Sequence, residues 1–490
     1  MDNPPQSIHI LPRELIEHIF YLHVIVNLQS RKPLLFTCRT WYNIAITYGQ
    51  LWGKIGFGVN PARRSNAIYC SKPETLVDIV QRAGAAKFAL FLISVSFTPI
   101  QRIVERFGFI KTSIMLGCRS LTFFSRWPDL SKPSRSPLAT LSLSCEMTAL
   151  EELIIEHEQD QVAFEPMVEG IVRGAVTAPN LRTLRLTYTG VRYEPDEVIS
   201  GIANAIFKYP HLLKGISTLQ LSGIRAVVPW SALSSLNELT FAFSRRSPSL
   251  QGLDSTPITR LVLSGYYHQG SITAQIWTRL THLTLSGRTN PIEVIQLTGL
   301  IYLCLIDWVY SCAYFHAPKL ETLTIRVNPN TKLMMMYPRM ENADLHPRIV
   351  NIDLQDIEEA FDDLDDGPYI IRKDLTIFTT PLPFWTKVEE LRLRVIGSKS
   401  SLSPILPALS GSATEQCYPS LRCIEALYRT RISEAKRDSI VEGLKGVIEA
   451  RVRNGGTVAL EKVDIGWTGQ SSMEWIDCLA PFEPYANRME

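Results

Sequence analysis

The sequence is poor in cysteine, nearly uncharged in balance, and without a long hydrophobic run. Nine cysteines in 490 residues, an odd number with no C-x-x-C pair, do not make a disulfide framework and point to reduced thiols. Fifty Lys plus Arg against 48 Asp plus Glu leave +2, so no global field gathers nucleic acid or an anionic membrane. The longest apolar stretch, 88–97, is about half of the roughly 20 residues a membrane helix needs. The opening residues Met1 to Gln6 lack a basic and apolar leader, and no N-x-[ST] sequon occurs. These absences predict a soluble intracellular protein, cytoplasmic and/or nuclear, with neither nucleic acid nor membrane among its partners. What is present is apolar content: 46% hydrophobic against 20% charged residues excludes wholesale disorder. The length exceeds one compact core, which implies several domains or a repeat array.

A repeat is visible. An apolar residue, two variable ones, Leu, one variable, then Leu, Ile or Phe recurs as Leu181–Leu184–Leu186, Ile216–Leu219–Leu221, Leu236–Leu239–Phe241 and Ile258–Leu261–Leu263. It continues as Leu280–Leu283–Leu285, Leu300–Leu303–Leu305 and Leu320–Leu323–Ile325. Starts at 216, 236, 258, 280, 300 and 320 are spaced by 20, 22, 22, 20 and 20 residues, a register that chance does not hold. Weaker copies sit at Leu138–Leu141–Leu143, Leu150–Leu153–Ile155, Ile349–Ile352–Leu354, Val388–Leu391–Leu393 and Leu460–Val463–Ile465. Leu-Ser-Gly follows at 221–223, 263–265 and 285–287, where Gly permits the positive φ of a sharp exit turn. Each unit reads as a short strand with alternate residues turned inward, then a return of about 14–16 residues, stacked copy on copy. Longer returns carry helices, expected at 165–176, 195–207 and 433–452. An ordinary α/β sheet also alternates strands and helices, but its units usually exceed this length.

These residues resemble the leucine-rich repeat family over about 116–467. The family usually places Asn or Cys three positions after the third apolar residue; here only Asn328 fits, against Thr189, Ile224, Ser244, Tyr266, Arg288 and Trp308. The resemblance therefore implies an irregular solenoid with a curved parallel sheet and a mixed helical, 3₁₀ and extended outer side. Insertions near 327–348 and 356–387 interrupt the register. The second holds Glu358, Glu359, Asp362, Asp363, Asp365 and Asp366, without calcium-loop spacing, and reads as a solvated loop.

Residues 8–55 do not share the repeat. Leu11-Pro12-Arg13-Glu14-Leu15-Ile16-Glu17-His18-Ile19-Phe20 starts a helix with Pro in its first turn, and Leu15, Ile16, Ile19 and Phe20 form an apolar stripe. Leu34, Cys38, Trp41 and Ala45 form a second, and Leu51-Trp52 closes the block. So small a block cannot bury all this apolar surface by itself, and part of it is expected to face another protein.

The same residues resemble an F-box, of the fungal form in which Leu-Trp ends the motif. The resemblance rests on Leu-Pro-x-Glu-Leu-Ile-x-x-Ile-Phe at 11–20, Pro-Leu-x-x-x-Cys-Arg-x-Trp-x-x-Ile-Ala at 33–45 and Leu-Trp-x-x-Ile at 51–55. The linker 21–31 departs from the family pattern. The family docks on the SKP-family adaptor of cullin–RING ubiquitin ligases. By resemblance, Leu11 and Pro12 insert at the adaptor, with Leu15, Ile19, Leu35, Cys38 and Trp41 sharing that contact. Phe20 and Leu34 belong to the same set but lean towards the core.

Catalytic signatures are missing. No G-x-S-x-G, H-E-x-x-H or complete phosphate loop occurs, and Gly397-Ser398-Lys399-Ser400 has only the end of one. Cys304, Cys312 and His316 fit no usual zinc spacing. The expectation is a chain with no enzymatic activity, metal or cofactor. Function then falls to the strand residues that alternate with the leucines: Arg185, Arg260, His282, Tyr302, Arg326, Arg392 and Arg394, with Ser286, Cys304, Ile306, Asp353 and Glu390 among them. Arg and Tyr are frequent at binding hot spots, which suggests a protein target of some acidic character, its identity unknown. The resemblances together imply a non-catalytic substrate receptor of a SKP–cullin–F-box ubiquitin ligase. A repeat scaffold without a ubiquitin role is the rival reading. A β-solenoid carbohydrate hydrolase is a more distant one, since paired carboxylates are missing. The expected organisation is a helical docking domain at 1–56, a helical linker or cap at 57–115, repeats at 116–467 and a tail at 468–490.

Overall fold

The computed structural model describes residues 11–26, 31–57, 68–70, 73–83, 88–93, 117–125, 147–157, 178–188, 197–242, 250–265, 272–286, 295–306, 315–327, 344–355, 386–396, 406–410, 418–429, 432–454, 460–468 and 473–479. The fold is mixed α/β with a mostly parallel sheet, compatible with a solenoid-like class. Two compact units divide it: Met1–Glu238 with Ser244–Pro257, and Leu239–Phe243 with Ile258–Glu490.

The first unit begins with α1 (Arg13–Tyr21), which continues as a π turn over Leu22–Val26, then α2 (Lys32–Phe36), α3 (Arg39–Thr47) and a 3₁₀ turn at Gly49–Trp52. Next come β1 (Lys54–Phe57), β2 (Ile68–Cys70), α4 (Pro73–Ala83) and β3 (Phe88–Ile93). They are followed by β4 (Cys118–Ser125), β5 (Glu152–His157), β6 (Thr183–Tyr188), α5 (Glu197–Phe207), α6 (Pro210–Leu213) and β7 (Thr218–Ser222). The strands lie in the order β2-β1-β3-β4-β5-β6-β7, every pair parallel.

The second unit takes in β8 (Glu238–Ala242) from its second residue, then β9 (Arg260–Ser264), α7 (Ala274–Arg279), β10 (His282–Ser286), β11 (Ile295–Gln296), β12 (Tyr302–Ile306) and β13 (Phe315–Ala317). It continues with β14 (Thr322–Val327), β15 (Asp344–Leu345), β16 (Ile349–Gln355), β17 (Glu390–Ile396), α8 (Leu406–Ser410) and β18 (Cys423–Tyr428). Helix α9 (Glu434–Asn454), β19 (Lys462–Thr468) and β20 (Met473–Asp477) complete it. Strands β9-β10-β12-β14-β16-β17-β18-β19 are parallel neighbours, and β20 closes the edge antiparallel to β19. On the return side β11-β13-β15 make a small parallel sheet.

The leucine spacing sets the register. Leu261, Leu283, Leu303 and Leu323 stand side by side, as do Leu263, Leu285, Leu305 and Ile325. Every one of them is buried, because one face of each strand is turned inward while the period-2 partners face away. The apolar residue that opens each of these repeats, Ile258, Leu280, Leu300 or Leu320, sits two residues before the strand and is buried too. At that level a carbonyl takes two N–H groups from the next repeat: Thr259 from Thr281 and His282, Thr281 from Ile301 and Tyr302, Ile301 from Glu321 and Thr322. Backbone groups supply this ladder, which runs on through Glu321, Arg348, Glu389 and Arg422. Where Leu-Ser-Gly ends a described strand, Gly223 and Gly265 have φ of +66° and +88°, the turn that Gly was expected to make.

Several expectations are corrected. The stretch 57–115 is not helical throughout: β2 and β3 flank α4, and both pair with β1. In β3 the apolar run is continuous, yet burial alternates, with Phe88 and Leu90 buried and Ala89 and Phe91 half-buried. A boundary at 56 would cut β1, and the helical block belongs to the first compact unit. The 468–490 tail contains β20. In β16 the repeat is Pro347–Val350–Ile352, not Ile349–Ile352–Leu354, since Val350 pairs with Leu323 and Ile352 with Ile325. Of the expected helices, 195–207 and 433–452 match α5 and α9. Residues 165–176, the copy at 138–143 and the acidic run at 358–366 lie outside the described residues.

Candidate interaction surfaces

Helix α1 divides its apolar residues between two sides. Ile16 and Phe20, one turn apart, are buried with Val24, Leu34, Ile44, Ala45, Leu51 and Trp52. Leu11, Leu15, Ile19 and Leu22 follow the neighbouring row, and all are exposed, Leu15 by 51%. The single stripe expected over 15–20 is therefore two. Phe20 and Leu34, expected to lean towards the core, are buried in it. Trp41 packs edge-on against Phe20 at 5.1 Å between centroids. Its Nε1 is buried without a hydrogen-bond partner among the described residues. Cys38 caps α3, its Sγ accepting from the Trp41 N–H at 3.4 Å. Leu35 is half-buried beside them, and Pro12 is exposed at the start of α1.

The block is fastened by polar contacts at its rim. Arg13 bonds Glu17 at 2.7 Å and Thr47 Oγ1 at 3.0 Å, tying α1 to α3. Arg31 Nε donates to the Leu51 carbonyl at 2.7 Å, and burial lowers its pKa to about 10. Trp52 Nε1 donates to Ala45 O at 2.9 Å, with the Arg82 guanidinium 4.8 Å from its ring centroid. Phe36, 82% exposed, and Tyr42 also show apolar surface. Neither follows the helical periodicity of the other apolar positions, so pattern alone does not single them out. Covering a row of this kind contributes about 1.5–3 kcal/mol for each large side chain fully buried.

The second surface is the face of the sheet that bears the non-leucine residues. In the first unit Arg185 lies 3.8 Å from Glu152, which also accepts from Ser120 Oγ at 2.7 Å. In the second unit the strand pairings define rows across the sheet. One row runs Arg260, His282, Tyr302, Thr322, Ile349, Glu390. Within it the His282 and Tyr302 rings stand 5.8 Å apart. Burial, opposed by a hydrogen bond with Thr324, raises the Tyr302 pKa. The next row brings together Cys304, Thr324, Asn351, Arg392 and Glu425. Cys304 and Thr324 are buried, Asn351 Nδ2 donates to Thr324 Oγ1 at 3.1 Å, and Arg392 Nε bonds Glu390 at 2.7 Å. That bond raises the Arg392 pKa. The third row runs Ser264, Ser286, Ile306, Arg326, Asp353, Arg394, Leu427. Here Arg326 Nε donates to Asp353 Oδ2 at 3.1 Å, and Arg394 Nε lies 4.0 Å from Oδ1.

The structure thus brings His282, Tyr302, Arg326, Arg392 and Arg394 onto one face of one unit, with Arg260 exposed at the strand beside His282. Asp353, also among the alternating positions, is paired in register with Arg326 and Arg394. Among the described residues no group of His, Cys, Asp and Glu is arranged to hold a metal, and no helix is long and apolar enough to cross a membrane. Cys304 and His316 stand in different sheets. No family model matches the chain, and no curated protein matches its sequence.

Proposed function

We propose that the chain is a non-catalytic substrate receptor of a SKP–cullin–F-box ubiquitin ligase. The N-terminal helices dock an SKP-family adaptor, and the repeat sheet, leucine-rich in pattern, holds a protein target. The observation that carries the reading is the two-sided α1, where Leu11, Leu15, Ile19 and Leu22 stay exposed beside a buried Ile16 and Phe20. All of these but Leu22 fall within the Leu-Pro-x-Glu-Leu-Ile-x-x-Ile-Phe motif. An exposed row of large apolar side chains with a polar rim is what the desolvated centre of a protein interface needs. The receptor does no chemistry; it raises the effective concentration of a target lysine near the ligase.

The test is capture of a purified SKP-family adaptor by the full chain. Leu15→Asp with Ile19→Asp is expected to weaken capture by about a hundredfold or more with an unchanged circular dichroism spectrum, since both side chains lie on the outer row. Phe20→Ala, in contrast, is expected to lower the melting temperature. No capture by the wild-type chain, or capture undiminished in the double variant, would leave only a repeat scaffold without this ubiquitin role.

A further inference from the structure

Asp353 is the one acidic residue among the buried polar side chains of the described residues. Its side chain is 6% exposed, while Arg326 and Arg394, on the strands either side, are 41% and 38% exposed. A carboxylate taken out of water costs several kcal/mol unless cations and hydrogen bonds compensate it. One arginine suffices to neutralise it. Here two converge on it from β14 and β17, so the row retains a positive charge in excess. Only Arg326 Nε hydrogen-bonds Asp353, at Oδ2; Arg394 Nε stops 4.0 Å from Oδ1, which is buried without a hydrogen-bond partner. The Arg394 guanidinium and the rest of the Arg326 fork therefore have no hydrogen-bond partner among the described residues. Five donors in a planar fork suit each arginine to a second carboxylate.

The rest of the row sets what lies beside these forks. Ile306 and Leu427, both half-buried, flank Arg326 and Arg394, and Ser264 and Ser286 extend the row without charge. Acids on this face belong to other rows, where Glu390 is held by Arg392 at 2.7 Å and Glu425 stands opposite Arg392 in register. Strands two apart are separated by about 10 Å, which a peptide in polyproline II form covers in about three residues, one turn that returns the side chain to the same side.

We infer that the Arg326–Asp353–Arg394 row is the docking site for an acidic segment of a protein target. That segment crosses the strands in polyproline II form, with two carboxylates three positions apart, one full turn, on the side that faces the sheet, and an apolar residue on either side. Asp353 is a positioning residue that holds the two forks together; Arg326 and Arg394 make the contact. The inference rests on the repeat sheet being the target-holding part of the proposed receptor, and does not depend on the N-terminal helices.

The probe is a fluorescein-labelled peptide with two glutamates three positions apart between leucines, titrated with the full chain by anisotropy. Binding is expected at low salt, weakening as salt rises, and failing for the same peptide with glutamine in place of glutamate. Arg326→Gln and Arg394→Gln are each expected to lower affinity about tenfold, and Arg394→Lys to recover only part of that loss. Arg348→Gln removes an equal charge from an exposed pair with Glu389 and is expected to bind as wild type. The proposal is overturned if the glutamine peptide binds equally well or if Arg348→Gln weakens binding as much as Arg394→Gln. It also falls if sedimentation shows self-association that Arg394→Gln abolishes, which would make a second copy the occupant. Adaptor capture is measured separately, so peptide binding without capture sinks only the docking reading, and capture without peptide binding sinks only this one.

Discussion

Arg451 carries a positive charge into the interior of the second unit. It lies late in α9 and is buried. Its Nη1 donates to the carbonyls of Leu409 at 3.4 Å and Tyr418 at 3.1 Å, and its Nη2 to Leu421 at 3.2 Å. Those carbonyls belong to the end of α8 and the turn leading into β18, where helical or sheet partners run out. Burial lowers the Arg451 pKa to about 10, which leaves the side chain charged at neutral pH. The side chain thus fastens helix, turn and strand by hydrogen bonds that an apolar replacement cannot make. Arg451→Met is expected to destabilise the protein by about 2–3 kcal/mol, since it strands buried acceptors. Equilibrium urea denaturation measures this, and a change below about 0.5 kcal/mol, the range of ordinary surface substitutions, would show that the carbonyls find other donors. The division of α1 belongs to this scale too. Leu15 and Ile16 are adjacent residues of one chemistry, and only the packing of α3 and the 3₁₀ turn on one side of the helix separates them.

Among elements, strands with the leucine period were legible to the residue, and those without it were not. Strands β9, β10, β12 and β14 start two residues after the apolar opener the spacing named, because a face buried on its return fixes register strictly. Strands β2, β3 and β20 pair through apolar or alternating runs without that motif, and β11, β13 and β15 are two or three residues long, too short for any period. The site was half legible for the same reason. Alternation named Arg326, Asp353 and Arg394, but their meeting depends on β17 joining β16 across an insertion that contains no repeat.

Two glycines test the element-level account with opposite signs. Gly223 ends β7 at φ +66°, and a Cβ there would lie 2.8 Å from that of Tyr188. Gly446 sits on the exposed side of α9 with nothing within 4 Å of such a Cβ. Gly223→Ala is expected to destabilise by about 1–2 kcal/mol or more, from the left-handed backbone and the clash. Gly446→Ala is expected to stabilise by about 0.5–1 kcal/mol, since alanine loses less backbone entropy in a helix. Thermal melts of both variants check this. Equal signs would mean that local backbone geometry does not control either position.

At the scale of the whole molecule, each described strand of the second unit's parallel sheet pairs with the next one along the array, so stability should add along the array. Residues 300–319 form one period: β12 pairs with β10 and β14, and β13 pairs with β11 and β15. Deleting 300–319 joins residue 299 to Leu320 and keeps the phase, because both neighbouring periods begin on leucine at 280 and 320. Leu323 and Ile325 then meet Leu283 and Leu285 as Leu303 and Leu305 now do, and β15 meets β11. Deleting 300–309 alone removes the same kind of residues but leaves a return segment where a strand is needed. The whole-period deletion is expected to keep a cooperative thermal transition and a strand-rich circular dichroism spectrum, while the half-period deletion loses both. Arg326, Asp353 and Arg394 remain adjacent in the longer deletion, so it should still bind the acidic probe peptide, more weakly for want of Ile306. If both deletions unfold alike, the second unit is a single indivisible core and the repeat does not govern its stability.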